Sequence, residues 1–345
     1  MKERIKNTIR RYVIALAWVY YTLLILWAAL YFVTGDRYGI MAIINSLALY
    51  IFLPLPLVLP LAIIFRRREL WIGFAVGVIL FTWLWGGLFL PRTPQPRTDD
   101  QSLSVMTYNV LGTHQQTAPA IKLIRTEDAD VVFLQEVNTA LAKALEEELS
   151  EQYPYQYLDP HDDVTGMGTI SKFPIHPTGE TLPLKWVGIP QILTLDWDGQ
   201  DIKLINFHMW ATGLASPKII ALNYRAREAQ ALFLADFVRI AAYQNPVIVA
   251  GDANFTDLSD AYKLVTDVLI DSWRVAGFGF GHTTPGCDRS GGSRPHFYGI
   301  PVPRWLVRID YVFHSNHFAT AEARLAQFDG VSDHRGVIAK LVLNK

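Results

Sequence analysis

Three uncharged apolar stretches fill most of the first ninety residues, and they constrain this chain more than any other feature. Tyr12 to Val33 runs 22 residues without a charge, Ile40 to Phe65 runs 26, and Leu70 to Leu90 runs 21. About 20 apolar residues in a helix cross a hydrocarbon core of roughly 30 Å. Three N-terminal transmembrane helices are therefore expected, at about 12–33, 40–65 and 70–90. Three buried helices of a soluble protein are the minor alternative. Pro54, Pro56 and Pro60 fall inside the second stretch and are predicted to kink or break it. The first stretch is too long for a cleavable signal peptide, and no small-residue cleavage site follows it.

Positive charge orients the spans. Lys2, Arg4, Lys6, Arg10 and Arg11 precede the first, and Arg66, Arg67 and Arg68 separate the second from the third. By the positive-inside rule both segments are expected in the cytoplasm, which places everything after Leu90 outside it. Arg92 and Arg97 oppose this weakly. The expected localisation is a multi-pass cell-membrane protein with an extracytoplasmic C-terminal domain and the lipid bilayer as its partner. No feature calls for an obligate protein partner.

Residues 91–100, PRTPQPRTDD, read as a Pro-rich linker between a membrane anchor, 1–90, and a domain over 101–345. The first hundred residues hold 11 basic and 5 acidic side chains, leaving 20 and 27 for the rest, a net of −7. That balance argues against a general nucleic-acid binder, which needs a basic surface. All nine histidines lie in the second part. The single cysteine, Cys287, excludes an intramolecular disulfide and cysteine-based zinc sites.

Apolar runs in this second part end repeatedly in polar side chains of one chemical kind. SLSVMTYNV alternates so that a strand ends at Asn109, and DADVVFLQEV places Glu136 just past the buried run Val131 to Leu134. DIKLINFHMW sets Asn206 and His208 two apart, and VIVAGDAN does the same with Asp252 and Asn254. In an extended strand such pairs share a face. RIDYVFHS opens with Asp310, and Asp333 and His334 precede a closing strand. Helical patterns over 118–126, 138–149 and 218–242 intervene, which predicts an α/β fold. Each residue taken alone has a plain structural explanation as a turn former, cap or core residue. Together, oxygen and imidazole donors without sulfur suit Mg²⁺ or Mn²⁺ and phosphate chemistry.

Seven motifs, TYNV at 107–110, LQEV at 134–137, GMGTISKFPI at 166–175, NFHMW at 206–210, GDANFTD at 251–257, RIDYVF at 308–313 and SDHRGV at 332–337, stand in the order found in one superfamily. The chain from Ser102 onward resembles the endonuclease/exonuclease/phosphatase superfamily with its DNase-I-like fold. The resemblance implies a four-layer α/β sandwich and a divalent-metal-dependent phosphoesterase. It implies Glu136 as principal metal ligand with Asn109 and Asp333 nearby, and Asp252 orienting or deprotonating the attacking water with help from Asn254. It implies His334 on a phosphate oxygen with Asp310 fixing its ring, and His208 at the phosphate or leaving group. The identity of the base and the metal count, one or two, are left open by the pattern.

Substrate is open between lipid head groups and extracellular DNA or RNA. The anchor and the acidic domain lean toward lipid. Aromatic loops carrying Trp186, Phe297, Tyr298 and Trp305 either dip into a bilayer interface or cover sheet edges and cap the core, and Lys185, Arg289, Arg294, Arg304 and Arg308 would equally suit a nucleic-acid backbone. A non-catalytic module of the same fold is a further alternative, opposed by the filled motif positions. A transporter is disfavoured, since Asn45 and Ser46 are nearly the only polar side chains of their kind inside the spans.

Overall fold

A computed structural model describes residues 2–90, 101–113, 115–213, 216–286, 294 and 296–344. The chain divides into two units, Met1–Leu90 and Pro91–Lys345. The expected linker, 91–100, lies outside the described residues, as do Cys287 and Arg289.

The first unit contains α1 (Lys2–Thr34), α2 (Gly39–Ser46), α3 (Leu55–Phe65) and α4 (Arg68–Trp85). Three stretches are long and apolar enough to cross a membrane: Asn7–Thr34, Ala48–Phe65 and Arg68–Phe89. The helices are apolar on their outer faces too: Leu16, Leu23, Ile72, Ile79 and Trp83 are exposed. An all-round apolar helix suits lipid rather than water. The expected second span is not one helix. It breaks between α2 and α3, where Pro54 caps α3 and Pro56 enters its first turn, while Pro60 is accommodated inside α3. A proline ring is tolerated where an N–H has no helical acceptor, so the break falls at the first two prolines. Asn45 is buried and used: it accepts from Trp27 Nε1 (3.1 Å) and donates to Gly35 O and Asp36 Oδ1 (3.1 and 2.8 Å).

The second unit is built on two six-stranded mixed sheets. The first has the order β13-β14-β1-β2-β4-β3, with β1 at Ser102–Asn109, β2 at Val131–Gln135, β3 at Tyr155–Asp159, β4 at Met167–Ser171, β13 at Phe318–Leu325 and β14 at Val337–Leu343. The second has the order β5-β6-β7-β8-β12-β9. Its members are β5 (Ile175–Pro177), β6 (Gly188–Trp197), β7 (Gln200–His208), β8 (Val247–Asp252), β9 (Ile270–Asp271) and β12 (Asp310–His314). A small hairpin, β10 (His296–Phe297) with β11 (Ile300–Pro301), stands apart.

Each sheet holds one parallel pair joined through a helix. α5 (Ala118–Glu127) links β1 to β2, and α7 (Pro217–Gln244) links β7 to β8. These helices and α6 (Thr139–Glu148), α8 (Asp260–Thr266) and α9 (Ser272–Ala276) obey local signals. Asn138 caps α6 by accepting from Leu141 N, Ser216 caps α7, and Pro246 keeps α7 from extending past Asn245. Met106 and Tyr108 of β1 pack with Ile121 and Ile124 of α5 and with α6, whereas Phe207 of β7 and Val249 of β8 pack with Leu234 and Val238 of α7.

The sheets face each other, giving the four-layer sandwich, and their contact has a polar layer. Gln135 Nε2 of one sheet donates to Asn206 Oδ1 of the other (2.8 Å). Asn206 Nδ2 reaches Gly168 O (2.8 Å) and Gln191 Oε1 (3.2 Å), and Thr169 donates to the same Gln191 oxygen (2.7 Å). All four side chains are buried. This corrects the idea that Asn206 accompanies His208 into a site: Asn206 belongs to the layer beneath.

Candidate active site

The C-terminal ends of both parallel pairs lie at the same end of the sandwich. In the first sheet Asn109 is in register with Gln135, and Glu136 comes next with φ 62°. That left-handed turn takes the glutamate off the strand line and over Asn109. Its carboxylate accepts from Asn109 Nδ2 (3.0 Å) and the Gly112 amide (3.2 Å). Gly112 is required here, because a Cβ would lie 2.4 Å from Glu136 O.

In the second sheet His208 is in register with Asp252, and their Nε2 and Oδ2 atoms are 3.4 Å apart. Asp252 Oδ2 also accepts from Asn109 Nδ2 (3.1 Å), so one amide bridges carboxylates of the two sheets. Asp252 Oδ1 accepts from the Asn254 main-chain N–H (2.9 Å). Asn254 itself turns at φ 52° and donates its amide to Met209 O (3.0 Å). The shared strand face expected for Asp252 and Asn254 is therefore not present: β8 ends at Asp252, and Asn254 serves it through the backbone.

Asp310 sits opposite Asp252 on the antiparallel neighbour β12. His334 Nδ1 donates to its carboxylate (2.9 Å to Oδ2), leaving Nε2 3.9 Å from both Asp252 Oδ2 and Asp333 Oδ1. The loop that delivers His334 is tied down at several points. Asp329 accepts the Tyr108 hydroxyl and the Val331 and Ser332 amides. Ser332 Oγ donates to Asn109 O (2.8 Å) and accepts from His334 N (3.0 Å). Sequence reasoning marks neither Tyr108 nor Asp329. The signal available is only that Tyr108 adjoins Asn109 and that Asp329 opens a turn.

All eight predicted site residues gather at this end. His208, Asp252, Asp310 and Asn109 are buried, and Glu136 and Asp333 are half-buried. Burial, with the nearby Asp333 charge, raises the Glu136 carboxyl above its usual range against the pull of His208, Asn109 and His334. Burial also opposes charge on both imidazoles. The Asp252 hydrogen bond and charge, with Glu136, nonetheless raise His208, and Asp310, Asp333 and Asp252 raise His334 well above the ordinary value. Asp252 is lowered: burial works against its charge, but His334 and His208 outweigh burial. Asp310 goes up, through burial and the charge of Asp252, against His334. Both imidazoles thus lie among carboxylates that favour their charged forms, and His208 Nδ1 is buried without a hydrogen-bond partner.

This donor set fits a hard divalent cation. Glu136 takes its direct hydrogen bonds only from the neutral Asn109 amide and Gly112 N–H, and burial holds its carboxyl above the usual range despite the two imidazoles nearby, so a cation would find it under-compensated. Asp252, Asp310 and His334 each offer a potential ligand atom, and these atoms lie within 4.8 Å of one another. That trio differs from the expected Asn109, Glu136 and Asp333. Asn109 presents amide nitrogen, not oxygen, to both carboxylates, and its Oδ1 accepts from Leu111 N (3.0 Å).

Other expectations sort differently. Arg308 is no surface contact for a nucleic acid. It is buried and bonds Asp271 through both Nη atoms (3.0 and 2.8 Å). Trp186 is buried, and the Trp305 ring lies under Arg335 (4.1 Å) and edge-on to Phe328. Tyr298 alone of the four aromatic residues is shown fully outside, and the Phe297 side chain lies outside the described set.

Comparison with known proteins agrees with this geometry. A structure described as an endonuclease/exonuclease/phosphatase from Beutenbergia cavernae is similar, with 22% identity, TM-score 0.52 and coverage of 71% of this chain and 72% of that one. So is D. rerio TDP2 complexed with single strand DNA product, with 20% identity, TM-score 0.55 and coverage of 71% and 100%. An endonuclease/exonuclease/phosphatase from Bacteroides vulgatus has 18% identity, TM-score 0.53 and coverage of 71% and 100%. A search of curated proteins finds no match. These likenesses share the fold. The model of the Endonuclease/Exonuclease/phosphatase family matches residues 106–334, from β1 to His334. The chain accordingly belongs to the endonuclease/exonuclease/phosphatase family, whose members are metal-dependent hydrolases of phosphoric ester bonds.

Proposed function

We infer that the protein is a membrane-anchored phosphodiesterase that acts outside the cytoplasm, with lipid head groups as its substrate class. The observation that supports this most is one end of a sandwich that carries both a hard-ligand carboxylate and an Asp310–His334 pair, in a chain with three apolar spans. Glu136 would be the principal holder of Mg²⁺ or Mn²⁺, with Asp333 beside it. A divalent cation bound there supplies charge stabilisation and a more acidic water.

The chain's own groups do the rest. Asp252, lowered and charged, orients the attacking water or takes its proton. Asn254 N–H and Asn109 Nδ2 fix its two oxygens. His334, its ring set by Asp310, directs Nε2–H at a non-bridging phosphate oxygen. His208 stands across Asp252 to donate to the leaving group. Positive charge before α1 and between α3 and α4 supports an N-terminus in the cytoplasm and the site outside it.

The test is a substrate screen of the full chain in lipid nanodiscs against phospholipids, DNA, RNA and nucleotides, with Mg²⁺, Mn²⁺ or EDTA. Hydrolysis of a lipid phosphodiester, abolished by EDTA and restored by metal, is expected. Glu136→Gln should weaken metal binding measured by calorimetry and lower turnover together. A second reading, a nuclease, draws on the similar structure that holds a single strand DNA product. Faster cleavage of DNA or RNA than of lipid would establish it instead.

A further inference from the structure

Two apolar projections flank the site. On the second sheet, Gly188 is in register with His208, and Val187 N donates to His208 O (3.1 Å). The segment leading into β6 is thus fastened beside the site. Lys185 O accepts from Trp210 Nε1 and Gln230 Nε2 (both 2.9 Å), and Trp186 is buried with its indole N–H on Pro183 O. From this fixed base Leu184 and Ile189 point outward, 52% and 69% exposed.

The other projection is the β10–β11 hairpin. Its root is bonded to the His334 loop: the Gly286 amide and Thr284 Oγ1 both donate to Asp333 O, and Trp305 N returns to Pro285 O (2.9 Å). At its turn Tyr298 is 91% exposed and Ile300 70%. Tyr298 and Gly299 both have positive φ (49° and 78°), the signature of a tight two-residue hairpin turn. Ile300, an aliphatic side chain held outward on this hairpin, leaves most of its apolar surface uncovered and suited to a further apolar partner.

Charge indicates which partner. The domain carries a net −7, yet residues 183–190 hold one lysine and no acid, and residues 294–307 hold Arg294 and Arg304 and no acid. Isoleucine, leucine and tyrosine beside basic residues match the headgroup layer of a bilayer. The same chain supplies three stretches apolar enough to cross one. We propose that Leu184 and Ile189 on one side, and Tyr298 and Ile300 on the other, enter the headgroup layer and hold the mouth of the site against a lipid surface. This rests on the phosphodiesterase reading of the site and specifies how a lipid reaches it. Phosphodiesters still in the membrane are presented to His334 and Asp252 between the two projections.

The experiment places a fluorescent label by Ile189→Cys, Ile300→Cys or, as control, Asp201→Cys, in a Cys287→Ser background of the full chain. Asp201 is exposed at the other end of β7 from His208. In nanodiscs holding one chain each, brominated lipids should quench the labels at 189 and 300 and leave that at 201 unchanged. No quenching at 189 and 300, or equal quenching at all three, overturns the proposal. The pair Ile189→Ser with Ile300→Ser should lower hydrolysis of bilayer lipid by about tenfold or more, with hydrolysis of a soluble chromogenic phosphodiester retained. Equal loss on both substrates also overturns it. Quenching without any lipid hydrolysis would instead refute the lipid substrate and leave the docking surface standing.

Discussion

Asp252 has two oxygens and four polar neighbours, and that crowding is why we propose it as a working residue. Oδ1 is fixed by Asn254 N–H, while Oδ2 faces Asn109, His208 and His334. A turn former would need only the first contact. Asp252→Asn keeps the shape and removes the charge, so turnover should fall by at least about 10²-fold with KM little changed. Steady-state kinetics beside a melting curve would check this, and near-normal turnover would reduce Asp252 to a turn residue. Asp310 acts on His334 in a way that pH reveals. The imidazolium of His334 persists below its raised pKa and is lost as pH rises through it. Asp310→Asn removes the charge that most favours it, so the alkaline limb of the rate profile should move to lower pH. A limb left in place would show that another group sets it. The chemical types of these side chains were legible in the sequence, because a carboxylate or imidazole at a strand end is written in the letters. Their aim was not. Glu136 and Asn254 both turn through positive φ, which no alternation pattern encodes.

Strands and helices were legible where hydrophobic period and caps agree. The helices expected over 118–126, 138–149 and 218–242 appear as Ala118–Glu127, Thr139–Glu148 and Pro217–Gln244. The reading failed where an element is held by a distant partner. Arg308 reads as a surface cation at the start of a strand, yet it packs over Tyr311 (4.5 Å) and pairs with Asp271 at the edge of the sheet. Burial alone would raise the Asp271 carboxyl, but Arg308 and the Tyr262 hydroxyl hold it below the usual range. Its stabilisation is therefore full above about pH 4 and lost as pH falls through the lowered value. Asp271→Asn leaves a buried guanidinium without its counter-charge and should cost about 3–5 kcal/mol. Chemical denaturation at pH 7 measures it. A loss under about 1 kcal/mol would mean that Asp257, 3.9 Å from Arg308, takes over.

At the scale of the whole molecule, the two units announce themselves by composition, since a charge-free run of some twenty residues and a strand–helix alternation cannot be confused. Orientation across a membrane is a separate matter, argued from eight basic residues on one side of the spans. A periplasmic or extracellular reporter fused after Lys345 should be active, and a cytoplasmic one silent. The reverse result would place the site inside the cell and favour nucleic acid as substrate. The pairing of the two sheets was not legible, because Gln135, Asn206, Thr169 and Gln191 are far apart in sequence and look like ordinary polar strand residues.

That polar layer bears on the order in which the protein gains its properties. Before the sheets meet, Gln135 and Asn206 are hydrated and cost nothing. Once they meet, a slip by even one residue strands these amides, at about 1–3 kcal/mol for each unpaired group. Apolar layers tolerate slips, whereas an amide pair accepts one register. Glu136 adjoins Gln135, and His208 lies two residues beyond Asn206, so correct seating of the layer and assembly of the site are the same event. On dilution from denaturant, far-ultraviolet circular dichroism should recover first and hydrolytic activity last. Asn206→Leu should slow that final phase more than it weakens the finished enzyme, and recovery of both signals together would show that the layer sets no late barrier.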